Sequence, residues 1–306
     1  MSSTENENAP KPRLAEAIAS LGDTASRLSH LSKRSYQNPY LTLRQWPPEV
    51  RPEEEWFSSP EYVSLYGTPL WEELGEPGRR RLAFHEAVNF YSLNIHGEKG
   101  LMEGLAQRLY RKDLLEVSEY LHHFLDEENK HSIYFGGFCT RYAKVYRSRQ
   151  FALPEARPQS VEDFLFFAKT MIFEEIVDRY NWIQARDSRL HPVARFINDN
   201  HHVEESRHLV FGRQLVTALW DACVPSWDDA TVTELRRELA QFHVVSWREY
   251  YNPDVYADAG FDDPWEVAEL AWSAPAQRAH RRDVSTKVVS FLVAAGILDK
   301  EPADAF

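Results

Sequence analysis

Two copies of one short pattern, Glu128-x-x-His131 and Glu205-x-x-His208, constrain this chain more than anything else in it. Each interrupts a run of apolar residues spaced at three and four. The stripe around the first reads Leu114, Val117, Leu121, Phe124, Glu128, His131, Phe135, Phe138; around the second it reads Ala194, Ile197, His201, Glu205, His208, Leu215. Two further stripes carry one acid each: Phe84, Ala87, Tyr91, Asn94, Glu98, Leu101, Leu105, Leu109, and Phe164, Phe167, Met171, Glu174, Val177. This spacing predicts four helices, each with an apolar face broken by groups that water should hold. An ionised carboxylate in an apolar interior is strongly destabilising unless positive charge compensates it. Four carboxylates and three imidazoles on adjacent helices therefore point to a bound cation.

Positions three apart on a helix project to one side. Glu98 precedes the first pair by thirty residues and Glu174 precedes the second by thirty-one, so the chain holds two similar half-sites. That is the ligand arrangement of a carboxylate-bridged dinuclear centre in a four-helix bundle. His201 adds a third ligand on the last helix, since at about 100° per residue positions 201, 205 and 208 fall within roughly 60° of one another. Nearby alternatives are Glu175 for Glu174, which matches the spacing but fits the stripe less well, and His202 for His201, about 120° from His208 around the helix. Glu103 reads as surface, and Glu119-x-x-His122 faces the opposite side of its helix, without an upstream acid.

Composition limits the partners. The 306 residues are 43% hydrophobic and 13% aromatic, and their formal charge is −12, against a general affinity for nucleic acid or anionic membrane. No apolar run is long enough to span a membrane, and Met1 to Arg13 shows no secretory core. Cys139 and Cys223, the two cysteines, do not make a disulfide scaffold, which favours a reducing, cytoplasmic setting.

The organisation that emerges is all-α: a ferritin-like four-helix bundle core at about 80–215 carrying a dinuclear metal site, with extra flanking helices. Residues 1–12 read as a loose tail and 13–306 as a single domain. Leu14, Ile18, Leu21, Ala25, Leu28 and Leu31 predict one helix with a buried face, and the Pro- and aromatic-rich stretch 36–79 a wrapping segment with short helices. A loop is expected near Pro154–Gln159. Thr231-x-x-Glu234 resembles a capping box ahead of a helix to about Tyr251, Asn252-Pro253 stops it, and Pro264 opens another. A last helix from Ala276 to Ala295 is expected to end at Gly296.

The motifs Asn94-Ile95-His96-Gly97-Glu98, Glu128-x-x-His131, Glu174 and His201-x-x-x-Glu205-x-x-His208 resemble the AurF-type non-haem di-iron arylamine N-oxygenases, over roughly residues 80–215. The resemblance implies that Glu98, Glu128, His131, Glu174, His201, Glu205 and His208 hold two iron ions. These use dioxygen to oxidise an aromatic amine through hydroxylamine and nitroso stages to a nitro product, in natural-product biosynthesis. It also implies a homodimer and an external donor, a ferredoxin or reductase, because no flavin or nicotinamide fingerprint is evident. Carboxylate and imidazole ligands suit iron, and also manganese or zinc. Asp178, Asn198 and Asp199 are expected as outer-shell partners, and Phe90, Phe167 and Met171 as pocket lining or ordinary core. Competing readings are a di-iron C–H hydroxylase or desaturase, and a ferritin-like iron-binding protein.

Overall fold

Prolines and short polar caps set where the helices begin. The structure, a computed structural model, describes residues 14–148 and 157–299. Its first helices are α1 (Leu14–Ala19), α2 (Gly22–Arg34), α3 (Pro39–Leu43) and α4 (Pro69–Glu73). The stripe from Leu14 is thus split by a turn at Ser20–Leu21, after which Leu21 accepts from the amide of Ala25 (2.9 Å). Ile18, Leu21, Ala25 and Leu28 are buried as expected, whereas Leu31 is exposed. Asn38 caps α3 and Thr68 caps α4, each followed by proline, whose fixed φ suits a first helical turn.

Four long helices follow: α5 (Glu76–Arg108), α6 (Ser118–Tyr142), α7 (Gln159–Arg186) and α8 (Pro192–Cys223). α5 packs on α6 and α7 on α8, while α5–α7 and α6–α8 contacts close the bundle. The apolar stripes read from the sequence face inward, with Leu109 only partly buried at the end of α5. Burying each Leu, Phe or Met in such a stripe is worth roughly 1.5–3 kcal/mol, so these faces drive the assembly. Gly97 allows close approach at the level of Glu98: a Cβ there would lie 2.8 Å from Cε1 of Phe173 on α7.

The 36–79 segment wraps one end of the bundle. Phe57, fully buried, stacks on His191 (ring centroids 4.9 Å apart) and meets Phe84 and Phe138 edge-on. Trp56 and Leu190 form an isolated parallel bridge, and the described residues contain no named strand.

Four more helices flank the bundle: α9 (Asp229–Arg248), α10 (Pro253–Asp258), α11 (Pro264–Ser273) and α12 (Pro275–Ala294). The cap of α9 is Asp228, which accepts from the Thr231 amide at 2.8 Å, so Thr231 lies inside the first turn rather than at the cap. Asn252 both stops α9 and caps α10. Gly296 ends α12 with φ +68°; its amide reaches Val293 O, and that of the fully buried Ile297 reaches Leu292 O, a Schellman closure. The expected tail at 1–12 lies outside the described residues, as do 149–156 of the expected loop; Pro158 directly precedes α7. No helix among the described residues is long and apolar enough to cross a membrane.

Candidate metal centre

All seven residues singled out by the broken stripes meet in the middle of the bundle, none more than 3% exposed. α5 contributes Glu98, α6 Glu128 and His131, α7 Glu174, and α8 His201, Glu205 and His208. They form three overlapping groups: Glu98, His131, His201; Glu128, Glu205, His208; and Glu174, His201, Glu205. Within each, one donor atom per residue lies within 4.8 Å of the others, close enough to hold a metal ion. His208 Nδ1 is 2.9 Å from both Glu128 Oε1 and Glu205 Oε1, and His131 Nδ1 is 3.4 Å from Glu128 Oε2. His201 Nε2 stands 3.6 Å from Glu98 Oε1 and from Glu205 Oε1.

The electrostatics are those of crowded acids held out of water. Burial, followed by neighbouring carboxylates, pushes Glu174 well above the usual carboxylate range. Glu98 is also pushed well up by burial, against the pull of His131. Burial works to raise Glu128 too, but His208 and His131 outweigh it and hold that carboxyl low. His131 sits at about 10, because the hydrogen bonds it donates to Glu128 and Glu204 overcome desolvation. His201 is driven the other way by burial and by the adjacent imidazoles. Protons thus compensate the acids where cations would otherwise do so.

A ring of outer partners orients these groups, and its members were not read from the sequence. His131 Nε2 donates to Glu204 (3.0 Å) and His208 Nε2 to Glu127 (2.8 Å), which turns each Nδ1 inward. Each acid is braced by a buried cation: Lys130 Nζ lies 2.8 Å from Glu204, and Arg207 2.5 Å from Glu127. The braces cross, each half-site's first acid holding the other's histidine. The signal was present as a repeat, Glu127-Glu128-Asn129-Lys130-His131 against Glu204-Glu205-Ser206-Arg207-His208.

The outer residues expected instead lie elsewhere. Asp178 bonds His202 (2.6 Å), Asn198 donates to Ala194 O and Tyr91 Oη, and Asp199 is exposed. Ser132 donates to Glu98 at 2.6 Å, and Asn181 hydrogen-bonds His201 Nδ1. Glu175 turns away to Arg213 and Lys287, Glu103 is exposed, and Glu119 pairs with Lys33 at the surface.

A cavity of about 540 Å³ runs between α5, α7 and α9. Of the seven clustered residues, Glu174 lines it; Leu93, Leu101, Phe166, Phe173 and Phe242 supply apolar walls, and Lys99 a cationic one. Phe90, Phe167 and Met171 are buried core and do not line it. The periodicity of α7 could not reveal which of its faces meets α9.

A family model described as P-aminobenzoate N-oxygenase AurF matches residues 20–296. The chain belongs to that AurF family. The family name places it among N-oxygenase enzymes, and the helical architecture agrees with the family's ferritin-like fold. A comparison with curated proteins gave no match.

Proposed function

We propose that Glu98, Glu128, His131, Glu174, His201, Glu205 and His208 hold two iron ions, and that the chain uses dioxygen to oxidise the nitrogen of an aromatic amine, through hydroxylamine and nitroso stages, to a nitro product of natural-product biosynthesis. The observation that carries this reading is a set of buried donor atoms without hydrogen-bond partners. Glu98 Oε1, Glu174 Oε2, Glu205 Oε2 and His201 Nε2 lack one, and Glu128 Oε1 has only the poorly aligned His208 Nδ1 at 2.9 Å. Orphaned polar atoms are costly in a protein interior, and such a cluster fits a site built for cations. The donor set, four carboxylates and three imidazoles, suits iron.

When bound, the iron pair supplies the redox equivalents that activate dioxygen, with electrons replenished by a ferredoxin or reductase. The chain's own residues do the rest. Glu204 and Glu127 keep the Nε2 protons of His131 and His208, leaving the Nδ1 lone pairs for the centre. Turning the Asn181 amide so that Oδ1 rather than Nδ2 faces His201 Nδ1 lets Oδ1 accept from Nδ1–H and directs the Nε2 lone pair inward. The cavity seats a flat apolar ring between Phe166, Phe173 and Phe242 and leads to Glu174; Lys99 is available to an acidic substituent. We further propose that residues 13–306 form one domain around this bundle.

The test is aerobic incubation of the reduced, iron-loaded chain with a panel of aminoarenes beginning with p-aminobenzoate. Products are followed by mass spectrometry with ¹⁸O₂. Label incorporated on nitrogen supports the proposal. Oxidation confined to C–H positions favours a hydroxylase or desaturase, and iron uptake beyond two ions per chain without amine oxidation favours storage.

A further inference from the structure

A column of aromatic rings leads away from the cluster on the side that the cavity does not touch. The ring of Phe135 lies 5.0 Å from that of His201, centroid to centroid; Tyr91 stacks on Phe135 at 5.4 Å, Phe90 follows at 5.9 Å, and Tyr180 stacks on Phe90 at 5.5 Å. None of these rings lines the 540 Å³ cavity. Tyr62, half-buried, ends the column in edge contact with Tyr180 (4.8 Å) and His280 (4.7 Å).

The phenol of Tyr180 meets a base. Its hydroxyl lies 3.0 Å from Nε2 of His280, on α12. Burial drives the His280 pKa down to about 4, so the imidazole is neutral and accepts the phenolic proton in this hydrogen bond. Burial also pushes Tyr180 well above the usual phenol range, so the proton does not leave before the electron. Neither of the other column tyrosines has such a partner: Tyr91 Oη receives the amide of Asn198 at 3.4 Å, an amide being no base, and Tyr62 neighbours the Arg179 guanidinium. The neighbouring Tyr250 Oη has no hydrogen-bond partner.

We propose that Tyr180 and His280 form a proton-coupled redox pair that discharges the oxidised centre when no amine is bound. The inference rests on the proposed function, whose dioxygen-oxidised iron pair is the oxidant. Tyr180 gives up one electron, which crosses Phe90, Tyr91 and Phe135 to the His201 side of the centre and reduces it by one equivalent. The Tyr180 O–H bond breaks as an N–H bond forms on His280 Nε2, leaving a neutral tyrosyl radical beside an imidazolium. An external reductant acting at the Tyr62 end returns the electron, and His280 returns the proton. The substrate cavity is bypassed, so oxidising power that finds no amine is spent away from the iron ligands.

The experiment is freeze-quench electron paramagnetic resonance of the reduced, iron-loaded chain exposed to dioxygen without amine. The expected result is a neutral tyrosyl signal that is lost in Tyr180→Phe, weakened in His280→Ala, and kept in Tyr146→Phe. Tyr146 is a control because its hydroxyl also meets a base, Asp258 at 2.6 Å, outside this column. An unchanged signal in Tyr180→Phe, or none in the unaltered chain while amine is still oxidised, overturns the proposal. A second arm tests the pair apart from the metal: laser-flash oxidation of the metal-free full chain by a photogenerated ruthenium(III) complex. There the tyrosyl radical is expected at position 180, forming more slowly in His280→Ala. Loss of both the radical and amine oxidation under dioxygen, with the radical retained in this arm, would indict the iron reading, whereas absence of the radical from both arms overturns the relay.

Discussion

The two half-sites are built alike and finished differently. Each has a Glu-Glu-x-basic-His segment whose first acid bonds the opposite half's histidine over a buried cation. The half containing Glu98 is closed: Ser132 holds that carboxylate, and Lys130 braces Glu204. The half containing Glu174 is open. Glu174 lines the cavity, its Oε2 is unpartnered, and this half has the additional imidazole of His201. On the proposed function, symmetry would provide the grip for a pair of ions, and departure from it would mark the side from which a substrate approaches.

The crossed braces give the largest test. Glu204→Ala leaves Lys130, which is 3% exposed, with only the distant Asp126 (3.8 Å), and Glu127→Ala leaves Arg207, at 6%, with the Val203 carbonyl and Glu204 at 3.8 Å. Removing one partner from a buried ion pair costs about 3–5 kcal/mol, so both variants should unfold at clearly lower denaturant, by similar amounts. A loss in one alone would show that the halves are not equivalently braced.

His201→Ala comes next. It should leave the fold intact but weaken the open half, read by titration as two unequal binding steps where the unaltered chain shows two closer ones. Full occupancy and unchanged affinities would make His201 a bystander.

Glu127→Gln and Glu204→Gln keep the shape of each brace but remove its charge. Outer partners of this kind typically contribute 10–100-fold in metal affinity, and each substitution should act through the histidine across the bundle. His208 should respond to Glu127→Gln and His131 to Glu204→Gln, seen in imidazole NMR shifts of a zinc-loaded sample; the reverse assignment would refute the crossing. Ser132→Ala should be mildest, about 1 kcal/mol of stability, confined to the closed half.

Much of this was legible before any coordinates because burial leaves a periodic trace. Glu98, Glu128, His131, Glu174, His201, Glu205 and His208 stood out as polar residues in apolar register, and that register is local to each helix. Glu127 and Glu204 did not stand out, because they flank the stripe and pair only across helices. Asp178 and Asp199 were plausible by proximity in sequence, yet α7 presents Asp178 to His202 on α8, and α8 turns Asp199 to solvent. The cavity was illegible for the same reason: its walls come from α5, α7 and α9, and no single stripe records how three helices meet.

The most direct measurement is metal content after anaerobic loading with ferrous iron and desalting, for the unaltered chain and Glu128→Ala. The account predicts two irons per folded chain, and loss of at least one when the Glu128 carboxylate, which lies among donors from both halves, is removed. A folded chain that retains no iron, or a Glu128→Ala variant that keeps both ions, would contradict it.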